Sequence, residues 1–381
     1  MPRHANDDFI PSPDTLPPDE RRGRGTTLNP DSRFVAAQRR RADRQWQYAN
    51  AADWPDGEAP TSPPTQVSEE IVRSAISRNR SPDLDFDQSL NPYRGCEHGC
   101  AYCYARPSHE FLDLSPGLDF ETKLWAKPGL VVALARDLSK PGYRCQPLAL
   151  GTNTDCYQLL EAERRLSRQV IELLVECRHP LSIVTKSHLV TRDIDLLAPL
   201  AEEGLVRVAL SLTTLDRRLA RRLEPRAATP ARRLAAIASL SAAGIPTGVM
   251  VAPLIPALTD WELESLLEAA ARSGAVFAKW SLLRLPGAVK ELFCQWLGAF
   301  EPARAVKVMH RLRALRQGQA DESRFFLRHR GSDGGTGTEA DLIAQRFAVA
   351  CRRQGLATEP PELDTSHFQP PPSVGRQFSL F

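Results

Sequence analysis

Cys96, Cys100 and Cys103 fall on one short stretch, residues 91–106, separated by three residues and then by two. Thiolates at that density can hold three irons of a [4Fe–4S] cube, because cysteine is the usual protein ligand of such clusters. Three ligands leave one iron without a protein donor, and an open coordination position is where a small molecule binds and reacts. Gly95 and Gly99 let the backbone fold tightly around so bulky a core. A structural zinc ion is the competing occupant, but it takes four ligands at paired C-x2-4-C spacings. The chain has no second pair of that kind, and His98, a further donor, sits between two of the cysteines. Three inert buried thiols would leave the clustering unexplained.

Such a loop needs a scaffold, and the sequence predicts an α/β one. Short apolar runs at 147–150, 181–184, 206–212, 247–252 and 276–283 read as buried strands. Helical periodicity separates them, as in Leu166, Val170, Leu173, Leu174 and Cys177, or in Leu234, Ile237, Ala238 and Leu240 with Gly244 placed to end the helix. Thr259 and Glu262 have the spacing of a capping box ahead of Leu263, Leu266 and Leu267. Alternating strands and helices imply parallel strands with right-handed crossovers. With a first strand just before the cysteines there are six units, a partial (β/α)6 TIM-like barrel. In barrels of this class chemistry sits where strands end and loops begin. The informative polar residues fall there: Gly151, Thr152, Asn153, Thr154 and Asp155 after the second strand, Lys186 after the third, Ser211 at the end of the fourth.

Around the barrel (residues 71–300), residues 1–70 read as a largely irregular Arg- and Pro-rich arm with a short helix at 34–48, residues 301–356 as a helical extension with helices at 304–315 and 339–353, and residues 357–381 as a flexible Pro-rich tail. The chain has 381 residues, 42% of them hydrophobic, and no apolar run long enough to span a membrane. The start lacks the apolar core of a secretory signal, and the other five cysteines are scattered without pairing. Both features predict a cytoplasmic, reducing setting. The net charge of +3 does not by itself argue for nucleic acid; the arginines clustered between Arg21 and Arg44 fit a solvated arm or a phosphate-binding one.

The three-cysteine motif, with Tyr102 just before the last cysteine, closely resembles that of the radical S-adenosylmethionine (SAM) enzymes. Further phrases at 81–86, 89–96, 115–122 and 284–286 resemble an uncharacterised branch of that superfamily related to spore photoproduct lyase. The resemblance implies a [4Fe–4S] cluster, SAM chelated on the unique iron, and an electron from a flavodoxin- or ferredoxin-type reductant. SAM then splits to methionine and a 5′-deoxyadenosyl radical that takes hydrogen from a substrate. It also implies roles by position. The backbone of Tyr102 meets adenine, and Gly151 to Asp155 stand where related enzymes hold the SAM amino group, without their Gly-Gly-Glu wording. Lys186 contacts the SAM carboxylate, a task suited to a fixed ammonium, and Ser211 a ribose. The lyase returns hydrogen to its product from a cysteine near the end of the second strand. Thr152 stands near that place here, so Cys156 beside Tyr157 is the displaced candidate for a hydrogen relay, against the plainer reading of Cys156 as small apolar filler.

Gln377, Phe378, Ser379, Leu380 and Phe381 end the chain and resemble the bacterial sliding-clamp-binding pentapeptide, with Phe378 where leucine is usual. An extended peptide on a proline-rich tether can seat Leu380 and Phe381 in an apolar pocket. These features together predict a radical SAM enzyme acting on DNA and docked to the clamp. The alternatives are a radical SAM enzyme with an RNA or protein substrate, and a zinc-stabilised clamp adaptor with no catalytic activity.

Overall fold

The structure, a computed structural model, describes residues 24–26, 64–79, 86–316 and 335–371. The expected helix at 34–48, most of the Arg-rich arm and the terminal pentapeptide Gln377 to Phe381 lie outside the described residues. The strands are β1 (Gln66–Glu69), β2 (Ser77–Arg78), β3 (Gln88–Leu90), β4 (Tyr93–Arg94), β5 (Lys123–Ala126), β6 (Leu148–Leu150), β7 (Leu181–Thr185), β8 (Val206–Ser211), β9 (Thr247–Leu254) and β10 (Phe277–Leu282). The helices are α1 (Asp119–Thr122), α2 (Leu130–Leu138), α3 (Glu161–Arg164), α4 (Leu166–Glu176), α5 (Ile194–Glu202), α6 (Arg217–Leu223), α7 (Pro230–Ala242), α8 (Leu263–Arg272), α9 (Val289–Phe300), α10 (Pro302–Leu315) and α11 (Thr338–Gln354).

The main sheet runs β10-β9-β8-β7-β6-β3-β2, its first six strands mutually parallel and β2 antiparallel on β3. Each parallel strand lies beside the one before it in that series, which is the order of a (β/α) barrel, here six units long and open. A one-residue slip would turn every side chain over, so hydrophobic content fixes the register. Leu90, Leu150, Ile183 and Val208 stand in one row and Leu148, Leu181 and Val206 in another, all at most 1% exposed beneath the helices. On the opposite face Ser89, Ala149, Ser182 and Arg207 form one row and Val184, Ala209, Gly248 and Phe277 the next, the Phe277 ring lying over Gly248.

At the end of the N-terminal segment read as largely irregular, β1 pairs in parallel with β5, which also pairs antiparallel with β4. Two expectations are corrected. Thr259 and Glu262 do not form a capping box. The Thr259 hydroxyl accepts from the Ile255 N–H (3.0 Å), and Glu262 accepts from the Thr214 hydroxyl (2.6 Å) and the Leu215 N–H (2.6 Å). The buried carboxylate is more useful tying down the loop after β8 than capping its own helix. The tail is not a free tether over residues 357–371. Ala357 bridges to Phe277, the Pro361 carbonyl accepts from Arg207 (2.6 Å), and the N–H groups of Asp364 and Gln369 donate to Gly204 and Cys177. This strap crosses the end of the barrel where the strands begin. Its proline-rich composition signals extended backbone, which serves equally for a tether and for a strap.

The helices expected at 304–315 and 339–353 are α10 and α11, and their buried faces join the core of the barrel. Trp280 of β10 meets Phe347 of α11 at a ring-centroid distance of 6.1 Å.

Candidate active site

The chain leaves β3, passes through β4 in the small sheet, and enters the cysteine loop at the end of the barrel where the strands finish. The Cys96 N–H donates to the Phe120 carbonyl (3.0 Å) and the Ala101 N–H to Leu223 at the end of α6 (2.9 Å). Gly95 and Gly99 have φ of +73° and +65°, and a Cβ on Gly99 would lie 2.7 Å from Glu121 Oε2. Only glycine fits both demands. Arg106, with no exposure, holds the loop from inside. It donates to the Cys100 carbonyl (3.0 and 2.8 Å), to the carbonyls of Pro116 and Gly117, and to Glu121 (2.7 Å). Gln158 braces the other side, accepting from the Glu97 N–H (2.9 Å) and donating to the Gly95 carbonyl (3.2 Å). From the N-terminal segment, the Gly25 N–H donates to Glu121 (2.9 Å), and the backbone there lies so close to Gly99 that a Cβ on Gly25 would overlap its carbonyl.

None of the three cysteines is in a disulfide. Burial, then the charge of Asp155 and the neighbouring sulfurs of Cys100 and Cys103, pushes the Cys96 thiol well above its ordinary value. Burial likewise pushes Cys100 up to about 12, although the Lys186 ammonium pulls the other way. Ligation by these sulfurs therefore releases protons. Three cysteines on one loop with no second cysteine pair suit a cube better than a four-ligand zinc ion. His98 Nδ1 lies 3.3 Å from Asp155 Oδ2 in a buried contact.

A second network borders the loop. The Tyr102 hydroxyl donates to Glu224, which also accepts from Thr213 (2.8 Å) and from Arg233. Arg233 in turn donates to the carbonyls of Ser211 (2.9 Å) and Ala228 (2.7 Å). Burial alone would raise the Glu224 carboxyl, but the Arg233 and Lys186 charges hold it down to about 2. The Lys186 ammonium lies 5.7 Å from the centre of the Tyr102 ring and acts on both Cys100 and Glu224. Lys186, Tyr102 and the cysteine loop are thus one neighbourhood.

The other residues singled out by sequence divide. Gly151 has φ of +85°, and a Cβ there would come within 2.2 Å of the Val184 carbonyl, so the residue lets the loop after β6 rest on β7. The Thr152 carbonyl accepts from the Tyr104 hydroxyl. The backbone N–H groups of Asn153 and Thr154 share the Asn91 side-chain oxygen (3.0 and 3.4 Å), and the Thr154 hydroxyl donates to the Tyr93 carbonyl (2.9 Å). Asp155 is occupied by the fold. Its oxygens accept from the Thr185 hydroxyl (2.6 Å) and from the N–H groups of Lys186 (2.8 Å) and Tyr157 (2.8 Å). Despite burial, His98 and these donors hold its carboxyl well below the usual range. The Ser211 hydroxyl donates to the Ala252 carbonyl (2.9 Å). Cys156 and Tyr157 are both buried, the thiol within the core and the phenol donating to Asp193 (3.0 Å). Sequence reasoning passed over Arg106, Gln158, Glu224 and Arg233, whose partners are far away in the chain or are backbone carbonyls that no spacing rule reveals.

A model of the Radical SAM superfamily matches residues 90–270. An uncharacterised protein of Mycobacterium tuberculosis is 41% identical over 239 residues, covering 61% of this chain and 70% of that one. One of Methanocaldococcus jannaschii is 28% identical over 173 residues, covering 45% and 62%. Among solved structures, spore photoproduct lyase with bound AdoMet and dinucleoside spore photoproduct superposes with a TM-score of 0.53 at 16% identity, over 77% of this chain and 81% of that one. At that identity the likeness is one of fold.

Proposed function

This chain belongs to the radical SAM superfamily, and from that premise we propose that its substrate is DNA and that its terminal peptide brings it to the bacterial sliding clamp. It is an enzyme whose cofactors are a [4Fe–4S] cluster and SAM. The observation that carries the site assignment is the cysteine loop at the strand-finishing end of the barrel, with Lys186 and Tyr102 beside it. Cys96, Cys100 and Cys103 hold the cluster, which when bound supplies the electron that splits SAM into methionine and a 5′-deoxyadenosyl radical. Lys186 pairs with the SAM carboxylate, the Tyr102 backbone meets adenine, and the loop of Thr152, Asn153 and Thr154 faces the amino group. Asp155 positions that loop against the cysteines through His98, and Ser211, while donating to Ala252, can accept from a ribose hydroxyl. Arg106, Glu121 and Gln158 keep the loop rigid.

The DNA reading rests on two supports: the likeness of fold to an enzyme solved with a dinucleoside photoproduct, and the clamp-like order of Gln377, Ser379, Leu380 and Phe381. The test is anaerobic 5′-deoxyadenosine formation with and without ultraviolet-damaged DNA, together with capture of the purified clamp. Stimulation by DNA, and clamp capture lost in Phe381→Ala, are expected. Equal rates with and without DNA, or capture indifferent to the substitution, would overturn the respective half.

A further inference from the structure

Beside the cysteine loop stands a surface that the cofactor assignments do not use. Residues 216–233 hold seven arginines and two carboxylates. Three of the seven are committed: Arg222 to Glu301 (3.2 Å), Arg226 to Glu97 (3.3 Å) and Arg233 to Glu224. Arg217, Arg218 and Arg221 are exposed on α6, and among the described residues their guanidinium groups make no hydrogen bond or ion pair. With Arg222, Glu224 and Thr229 they line a cavity of about 550 Å3.

Two physical points say what this cavity takes. Arg217 and Arg221, like Arg218 and Arg222, are four residues apart on one helix, where like charges repel. The free protein bears that repulsion, and a bound polyanion relieves it. Guanidinium groups around a concavity also suit the tetrahedral oxygens of a phosphate, which they grip in paired hydrogen bonds; a broad acidic protein face would meet only the rim. The position is equally specific. The helix follows β8 at the strand-finishing end, its last carbonyl accepts from Ala101 inside the cysteine loop, and Glu224 in the cavity wall accepts from Tyr102. A chain of phosphates laid on α6 therefore runs past the mouth of the barrel.

We propose that the arginine face of α6 binds the phosphodiester backbone of DNA and sets which nucleotide enters the barrel. This inference rests on the DNA reading above and gives it a surface. The test is a fluorescence-anisotropy titration of a labelled DNA duplex against anaerobic, cluster-loaded protein at several salt concentrations. The wild type is compared with Arg217→Gln/Arg218→Gln/Arg221→Gln, and with Arg352→Gln, at an exposed position of α11, as a charge control. The triple variant should bind roughly 10- to 100-fold more weakly, with a salt slope lower by about 3, near one unit for each lost phosphate contact. Its dithionite-driven 5′-deoxyadenosine formation without DNA should stay within about twofold of wild type, as expected for groups that touch only the polyanion; the control should match wild type throughout. DNA binding with an unchanged slope in the triple variant would overturn the role of α6 and leave the DNA reading standing. Failure of the wild type itself to bind DNA would remove both. Tighter binding of RNA of equal length would overturn the choice of DNA. Loss of turnover only when a flavodoxin supplies the electron, with DNA affinity intact, would make α6 a dock for the acidic carrier instead.

Discussion

At Arg106 a fully buried guanidinium joins the Cys100 carbonyl to the Glu121 carboxylate, and the pair has no exposure on either side. Removing one partner of a buried ion pair strands the other, a loss of about 3–5 kcal/mol. Arg106→Gln should therefore lower the unfolding free energy by that order in a denaturant titration and leave less iron per chain after reconstitution. An unchanged midpoint with full iron would contradict the bracing role. Lys186→Met makes a different prediction, because the ammonium is only partly buried and acts at the ligand. The cluster should form normally while SAM affinity falls by roughly tenfold or more, the order of one lost charged hydrogen bond, as followed by the change SAM makes in the spectrum of the reduced cluster. Cys156→Ala should leave 5′-deoxyadenosine yield and product distribution unchanged, as expected of a thiol buried within the core. The cysteines were legible from their spacing; Lys186 was singled out by its place after a strand and by the family resemblance. Arg106, Glu224 and Arg233 were not, because a buried charge is justified by its partner and the partners are set by the fold.

Elements carry the next level. Strand positions were legible because runs such as Leu181, Ile183 and Val206, Val208 must be apolar on the helix-covered face. Terminal strand β1 was missed: its four residues are mostly exposed and polar, with no period to read. The strap was missed for a related reason, since its contacts are mainly backbone ones. It packs Phe368 edge-on against Tyr143 (5.4 Å) and His179 (5.2 Å), and His179 hydrogen bonds with the Tyr143 hydroxyl (2.7 Å). Burial pushes His179 down to about 4 from an ordinary 6.5. A histidine held neutral in the folded state contributes stability above its unfolded value, and that contribution drains as the pH falls from about 6.5 to about 4. Urea unfolding of the wild type should lose about 1.4 kcal/mol per pH unit more than His179→Gln within that window. Parallel pH profiles for the two proteins would show that the strap does not depend on a neutral imidazole.

For the whole molecule, one division of labour follows from the register of the sheet. Large aliphatic residues face the helices and make the core, and the two ends of the barrel differ. One end is crossed by the strap; the other carries the cysteine loop, Lys186, the Glu224 network and α6. The barrel was legible from alternation alone, and the location of the chemistry from where polar residues follow strands. What those cues could not supply was the bracing that makes three thiols a rigid cradle. The central claim is that this cradle holds a [4Fe–4S] cluster with one iron left for SAM. The most direct measurement is 5′-deoxyadenosine formed by anaerobically reconstituted, dithionite-reduced protein supplied with SAM, set against its iron and sulfide content. The account predicts release of 5′-deoxyadenosine from wild type and none from Cys100→Ala; wild-type protein that carries a full cluster yet releases none would contradict it.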